Sequence, residues 1–324
     1  MTYAVIRTPA NVRRLTGIDC DNAWLVVDGD ERVLYTDFRY IPMVRRVAPD
    51  LKVRDCRKLK LSKSSVGFEK SISVAEFERL KRLAPKGAKF HDVTRELQEL
   101  RAVKTPAEIG KMRAAAALND RIWQAAAKRF RAGMTERQMA LVVKKMMLEK
   151  GDGEAFETIV CVGPNAAECH HVPDDTRWDG EAPVLVDLGV KLGGYCSDMT
   201  RNILSGGRIT KSYRASYDLV LKANRAAIAA AKPGLTGRAL DKVARDIIVK
   251  GGYGASFGHS LGHGVGLEIH ESPTASPKSD WTLKPGMVVT IEPGIYLEGR
   301  LGVRIEDLVL ITDTGCEVLS QSAK

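Results

Sequence analysis

The sequence predicts an α/β fold in two parts. A small N-terminal α/β domain spans residues 1–103, and a larger pseudo-two-fold α/β domain spans residues 104–324. Three observations predict it. Strand-like and helical runs follow one another in both parts. A strong helix start, Thr105-Pro106-Ala107-Glu108, lies about a third of the way along. In the second part, Gly133-Met134-Thr135-x-Arg137-x-Met139-x-x-Val142 returns as Gly234-Leu235-Thr236-x-Arg238-x-Leu240-x-x-Val243, an offset of 101 residues.

The first strand is Tyr3-Ala4-Val5-Ile6. Ala23–Val27 and Arg32–Thr36 flank Asp28-Gly29, a hairpin signal. Residues 75–83 and 92–103 read as helices. Thr105 to Glu108 is a capping box with Pro at the first helical position, so a new helix begins there and runs to about Phe130. Each copy of the repeat opens a helix at its Thr and closes it near Gly151 or Gly252. Each copy follows a long Ala-rich helix and precedes strand-like runs, Val184–Asp187 in one and Val288–Glu292 in the other. Helix starts recur by chance, but here the two halves also carry carboxylate pairs at similar spacing, 187 to 198 and 292 to 306.

Composition narrows the function. The chain has 324 residues and 44% apolar content, enough for one large core or two ordinary ones. No apolar run approaches the roughly 20 residues that cross a bilayer. Residues 1–7 lack a basic segment followed by an apolar one, so no secretory signal is expected. Six scattered cysteines, without a C-x-x-C pair, read as reduced thiols of a cytoplasmic protein. The net charge of +10 is uneven: residues 1–150 hold 32 basic against 18 acidic side chains, and residues 151–324 hold 18 against 22. A basic half raises nucleic-acid binding as an alternative. However, basic and apolar residues interleave at helical spacing, as in Lys144-Lys145-Met146-Met147, with no compact block or aromatic set. A solvated helical surface or subunit contact explains the charge better, and no nucleic acid or membrane partner is expected.

Five residues stand out as ligands: Asp187 in V-D-L-G, Asp198 in Y-C-S-D-M-T-R, His263 in G-H-S-L-G-H-G-V-G, Glu292 in I-E-P-G and Glu306 in V-R-I-E-D. Each acid alone has a structural explanation; Asp187 would serve as a cap, and Glu306 would pair with Arg304. Together, four carboxylates and one imidazole suit a pair of divalent cations. Carboxylates favour Mg, Ca and Mn, and the imidazole admits Co, Fe or Zn. Five side chains are too few for two closed cages, so carboxylates must bridge, bringing two ions to about 3.5–4 Å. Such a pair activates water and polarises a carbonyl. Five of the six histidines lie between residues 170 and 270, beside these ligands.

Three other motifs fail. His259-x-x-x-His263 has metalloprotease spacing, but Ser260 replaces the required Glu and glycines interrupt the helix. Gly258-His259-Ser260-Leu261-Gly262 matches G-x-S-x-G, but the acid and His needed downstream are in the wrong order. Gly262 to Gly266 resembles a phosphate loop without a following helix signal.

The motifs Phe156-Glu157-Thr158-Ile159-Val160, Gly163 to His171, Val186 to Gly189, Gly194 to Arg201, Gly262 to Glu271, Glu292-Pro293-Gly294 and Gly302 to Asp307 cover most of the second part. On them the chain resembles the M24-type pita-bread metallopeptidases, the creatinase, aminopeptidase P, prolidase and methionine aminopeptidase superfamily. Asn11 to Gly17 resembles the small creatinase-like domain of Xaa-Pro peptidases, which methionine aminopeptidase lacks. Creatinase lacks the full ligand set. The resemblance implies that Asp198 and Glu306 bridge two metals, that Asp187 binds one, and that His263 with Glu292 binds the other. It implies manganese first, with cobalt, zinc or iron as alternatives. Glu292 would also carry the proton, His270 would stabilise the tetrahedral intermediate, and His170 would contact substrate. Arg304 would orient Glu306; His259, Tyr195 and Phe156 would line or brace the pocket.

The substrates implied are short peptides with proline second, and a homodimer is expected. Prokaryotic proline dipeptidases tend to read H-E-x-P-R, whose Arg can hold the dipeptide carboxylate. Here Thr274 ends that run, which tilts the reading toward an Xaa-Pro aminopeptidase, with Xaa-Pro dipeptidase (prolidase) as the alternative. The chain also begins at its first strand, without the leading helix common in the family. A reading of another class is a non-catalytic pita-bread protein that binds through its basic N-terminal half.

Overall fold

The computed structural model describes residues 3–204, 207 and 209–324, which divide into two compact units, Met1–Arg101 and Ala102–Lys324. The first unit is built on a six-stranded mixed sheet. Its order is Lys52–Asp55, Glu31–Thr36, Trp24–Asp28, Tyr3–Ile6, Ser65–Phe68, Lys89–Asp92. The Asp28-Gly29 hairpin forms in register, pairing Trp24 with Tyr35 and Asp28 with Glu31. Side chains alternate across the sheet as period-two geometry requires. Ala4, Ile6, Leu25, Val27 and Leu34 enter one core with Val12, Val44 and Leu97. Tyr3, Val5, Trp24, Val26, Val33 and Tyr35 enter the other with Val66 and Leu80. The helix predicted over residues 92–103 begins later than the sequence predicts, because Asp92 closes a strand and helix Thr94–Ala102 starts after it.

The second unit contains the repeat. Helix Pro106–Ala127 opens with the Thr105/Glu108 capping box. Helix Glu136–Lys150 is capped by Thr135, and helix Gly237–Lys250 by Thr236; such caps contribute about 1 kcal/mol each. The turns before the two caps are built alike. Gly133 N donates to Trp178 O at 2.7 Å, and Gly234 N donates to Leu283 O at 2.9 Å. Thr135 bridges Arg177 as Thr236 bridges Thr282.

Each half covers a sheet with its helices. In the first, Val184–Leu188 lies between Ile159–Val162 and Met199–Ile203. Its apolar face packs on helices Pro106–Ala127 and Glu136–Lys150 through Leu118, Ile122, Met139 and Val143. In the second, a five-stranded sheet includes Gly262–Gly264, Val288–Ile291 and Asp307–Ile311. It packs on helices Lys211–Ala230 and Gly237–Lys250 through Val220, Ala223, Ala227, Leu240 and Ala244. The faces turned away from these helices carry the polar residues described next.

Candidate metal centre and active site

Strand alternation delivers the first ligand. Val184, Val186 and Leu188 of Val184–Leu188 enter the helix-backed core, so Asp187 faces the other side. Asp187 pairs in register with Thr200, and Asp198 lies two residues before Thr200. In the second half Glu292 follows strand Val288–Ile291, and its backbone N donates to Leu261 O at 2.8 Å. Glu306 precedes strand Asp307–Ile311, and its N donates to Thr200 O at 3.3 Å, which joins the halves. His263 sits in strand Gly262–Gly264 between two glycines. A Cβ at Gly262 would collide with the Thr290 carbonyl, so the close strand approach needs glycine there.

Asp187, Asp198, His263, Glu292 and Glu306 all border one cavity of about 470 Å³. Phe156, His170, His259, His270, Thr274 and Arg304 border it too, as do Cys169 and Ile269. Donor atoms of Asp198, His263 and Glu306 lie within 4.8 Å of one another. His263 Nε2 stands 3.3 Å from Glu292 Oε1 and 3.6 Å from Asp198 Oδ2. Its ring meets that of His270 edge-on, with centroids 4.3 Å apart.

The charges cannot all coexist without help. Burial, then repulsion from Asp187, raises the Asp198 carboxyl well above its ordinary range. Burial, then Asp198 and Glu292, does the same to Glu306. Burial opposes the charge on His263, but the hydrogen bond and charge of Glu292 outweigh it and raise the ring to about 9. Burial likewise opposes ionisation of Glu292, and the same His263 contact more than offsets it, so that Glu292 stays ionised. Asp187 Oδ1 and Asp198 Oδ1 are buried with no hydrogen-bond partner. Orphaned carboxylate oxygens among mutually repelling acids are the donors a cation lacks when hydrogen bonds should otherwise satisfy them. With oxygen and imidazole donors and no thiolate among the five, the residues fit hard or borderline divalent metals.

A set of hydrogen bonds that the sequence does not foretell fixes the ligands. Arg304 Nη2 donates to Asp187 Oδ2 at 2.6 Å, and Arg304 Nε donates to Thr200 Oγ1 at 3.0 Å. Thr200 Oγ1 in turn donates to Glu306 Oε2 at 2.7 Å. Arg304 therefore holds Asp187 directly and is linked by hydrogen bonds to Glu306 through Thr200. Thr290 plays the same relay, accepting from His263 N and donating to Glu292 Oε1, both at 3.0 Å. Tyr296 OH accepts from Arg304 Nη1 and stands 2.9 Å from His259 Nε2. His259 Nδ1 is 2.8 Å from Ser260 O, so its proton sits on Nδ1 and Nε2 accepts from Tyr296. Burial lowers the His259 pKa, in keeping with a neutral ring.

Tyr195 is placed elsewhere. It does not border the cavity; its hydroxyl donates to Glu108 Oε1 at 2.7 Å, bracing strand Tyr195–Cys196 against the start of helix Pro106–Ala127. Thr200 and Thr290 each stand two residues from a ligand, the spacing that puts both on one strand face; that was the available signal. Nothing local marks Tyr296.

Comparison with known proteins agrees with this picture. The model of metallopeptidase family M24 matches residues 110–313, and that of the creatinase/prolidase N-terminal domain matches residues 1–103. An Xaa-Pro dipeptidase of Pyrococcus furiosus is 37% identical over 98% of this chain and 93% of its own length. The prolidase structure from Pyrococcus horikoshii superposes with a TM-score of 0.94 at 34% identity, covering 100% of this chain and 95% of that one. The X-Pro aminopeptidase structure from Thermotoga maritima gives 0.87 at 32% identity, covering 99% and 96%. A family match that spans both repeats, around a cavity where donors from both meet, leads to one conclusion: the chain belongs to metallopeptidase family M24, with a creatinase-like domain ahead of its pita-bread domain.

Proposed function

We propose that this chain is a dinuclear-metal peptidase that hydrolyses the bond between an N-terminal residue and proline, acting as an Xaa-Pro dipeptidase. The observation that carries the peptidase reading is the convergence of Asp187, Asp198, His263, Glu292 and Glu306 on one cavity. The dipeptidase reading rests on relatives named Xaa-Pro dipeptidase that match nearly the whole chain. It displaces the aminopeptidase preference drawn from Thr274. Aminopeptidase remains the second reading, because Thr274 borders the cavity where an Arg would hold a dipeptide carboxylate.

Asp187, Asp198, His263, Glu292 and Glu306 would together hold the two ions. Manganese is the metal proposed, ahead of cobalt, zinc and iron. When bound, the pair supplies an activated water and electrophilic assistance to the scissile carbonyl. The side chains do the rest. Glu292, as a carboxylate, takes the proton of the attacking water and delivers it to the leaving nitrogen. Burial lowers the His270 pKa, so a neutral ring donates one N–H to the developing oxyanion. His170, exposed at the cavity edge, contacts substrate. Phe156 and Ile269 supply apolar wall for the peptide.

The domain boundary is proposed at residues 103/104. Six unpaired thiols support a cytoplasmic location. No described helix is long and apolar enough to cross a membrane. A homodimer is proposed from the resemblance, and sedimentation velocity tests it. The deciding assay compares Ala-Pro with Ala-Pro-Ala in Mn-loaded enzyme. Cleavage of the dipeptide alone supports the dipeptidase; preference for the tripeptide supports the aminopeptidase; cleavage of neither refutes both.

A further inference from the structure

Two of the histidines bordering the cavity, His170 and His270, precede a residue whose side chain is gripped by an opposite or hydrogen-bonding charge near a helix start. Glu271 follows His270. Lys104 Nζ lies 2.8 Å from Glu271 Oε1, with side chains only 1% and 4% exposed. Lys104 stands immediately before the Thr105 capping box, and its backbone N donates to Gly286 O at 2.9 Å. The backbone is pinned on both sides of the ammonium, since Val103 also bridges Met287. Glu271 opens strand Glu271–Ala275 and pairs with Gly264, next to His263. Its carboxylate lies against Gly266, where a Cβ would strike it.

His171 follows His170. His171 Nε2 lies 2.7 Å from Oε2 of Glu136, the fully buried first residue of helix Glu136–Lys150. The same carboxylate accepts from Val162 N at 2.6 Å, Asn165 Nδ2 at 3.0 Å and Asp174 N at 3.1 Å. One side chain thus gathers both ends of the segment that presents His170. At the repeat offset, Glu136 corresponds to Gly237, where a Cβ would collide with the Thr274 carbonyl. In the second half the helix start packs directly on its loop, leaving no room for a carboxylate there. The charge comes instead from Lys104.

Buried ion pairs are a weak source of net stability, since apolar replacements of similar volume often do as well. Their directional contacts fix geometry instead. We propose that Lys104–Glu271 and Glu136–His171 are positioning pairs that set the placement of His270 and His170 over the metal cavity. The proposal rests on the reading of those two histidines as groups that meet the substrate.

The test uses the full chain, loaded with Mn for kinetics and with diamagnetic Zn for the ring signals of ¹⁵N-labelled histidine. Lys104→Met and the milder Glu271→Gln are compared with Lys104→Arg; Glu136→Gln is the counterpart for His170. The His270 and His170 ring signals are assigned by their loss in His270→Asn and His170→Asn. Per folded, metal-replete molecule, Lys104→Met and Glu271→Gln lower kcat on Ala-Pro about 10- to 100-fold, as displacement near 1 Å does. KM changes less than about threefold by the same reasoning, since ground-state binding is largely untouched. The His270 ring signal shifts while that of His259 stays, and Lys104→Arg restores most of both properties. Glu136→Gln moves the His170 signal. Folded, metal-replete variants with wild-type kcat and unmoved ring signals overturn the proposal. If the unaltered enzyme cleaves no Xaa-Pro bond, the functional reading fails, and the ring signals alone decide whether the pairs position the histidines.

Discussion

Arg304 donates to Asp187 Oδ2 at 2.6 Å and to Thr200 Oγ1 at 3.0 Å, so one guanidinium from the second half sets a carboxylate of the first. Its planar fork makes both contacts at once, which an ammonium cannot reproduce. Arg304→Lys should therefore weaken Mn binding by about 10- to 100-fold while leaving the fold intact. Thr200→Val, which removes the donor to Glu306 and the acceptor for Arg304 Nε but leaves the Arg304–Asp187 contact, should show a smaller loss. Titration calorimetry with Mn checks both; unchanged affinity in Arg304→Lys would remove the arginine from ligand positioning.

Asp198 is held against Asp187 and Glu292 with one oxygen unpartnered. Removing its charge relieves that repulsion. Asp198→Asn should stabilise the metal-free protein by about 0.5–2 kcal/mol, the range typical when a functional site is relaxed. It should also abolish turnover and the stabilisation by metal. Thermal melts with EDTA and with Mn measure this. Metal at 1,000 times its dissociation constant should stabilise the wild type by about 4 kcal/mol.

His171 gives the metal-free protein a pH signature. Burial opposes its charge, yet hydrogen bonds to Glu136 and Glu168 outweigh burial and raise its pKa. The folded ring keeps its proton to higher pH than the unfolded ring does. Its stabilisation is complete below the unfolded value of about 6.5 and fades as pH rises through the raised folded value. The Tm difference between wild type and His171→Asn should shrink across that window. A difference that grows with pH would reverse the assignment.

Tyr296 predicts a tautomer. With Nδ1 bonded to Ser260 O and Nε2 facing the Tyr296 hydroxyl, His259 should remain a neutral Nδ1–H ring near neutral pH. Nitrogen NMR reads this directly. Tyr296→Phe should raise the Nε2 proton affinity and lower kcat only modestly, because His259 touches no ligand and Arg304, though it loses its bond to the hydroxyl, keeps those to Asp187 and Thr200.

The elements that the sequence announces are those with local causes. The Thr105 capping box, the twin caps at Thr135 and Thr236, and the Asp28-Gly29 hairpin each depend on neighbours within four residues. The five donors were legible because each sits in a short marked run. Their partners were not. Arg304 is two residues from Glu306, yet strand Leu301–Arg304 ends at the arginine, and its contact with Asp187 spans 117 residues of sequence. The Lys104–Glu271 pair spans 167. The resemblance implies that Tyr195 lines or braces the pocket, and its hydroxyl donates to Glu108, a partner remote in sequence. Long-range polar partners leave no periodic trace in the sequence, so only the fold reveals them.

The most direct test of the account is anomalous diffraction at the manganese edge from crystals grown with Mn. The account predicts two peaks about 3.5–4 Å apart, both touching Asp198 and Glu306, one touching Asp187 and the other His263 and Glu292. A peak confined to Glu136, His171 and Asp174, the other acid–imidazole cluster among the described residues, or no peak within reach of Asp198 and Glu306, would contradict it.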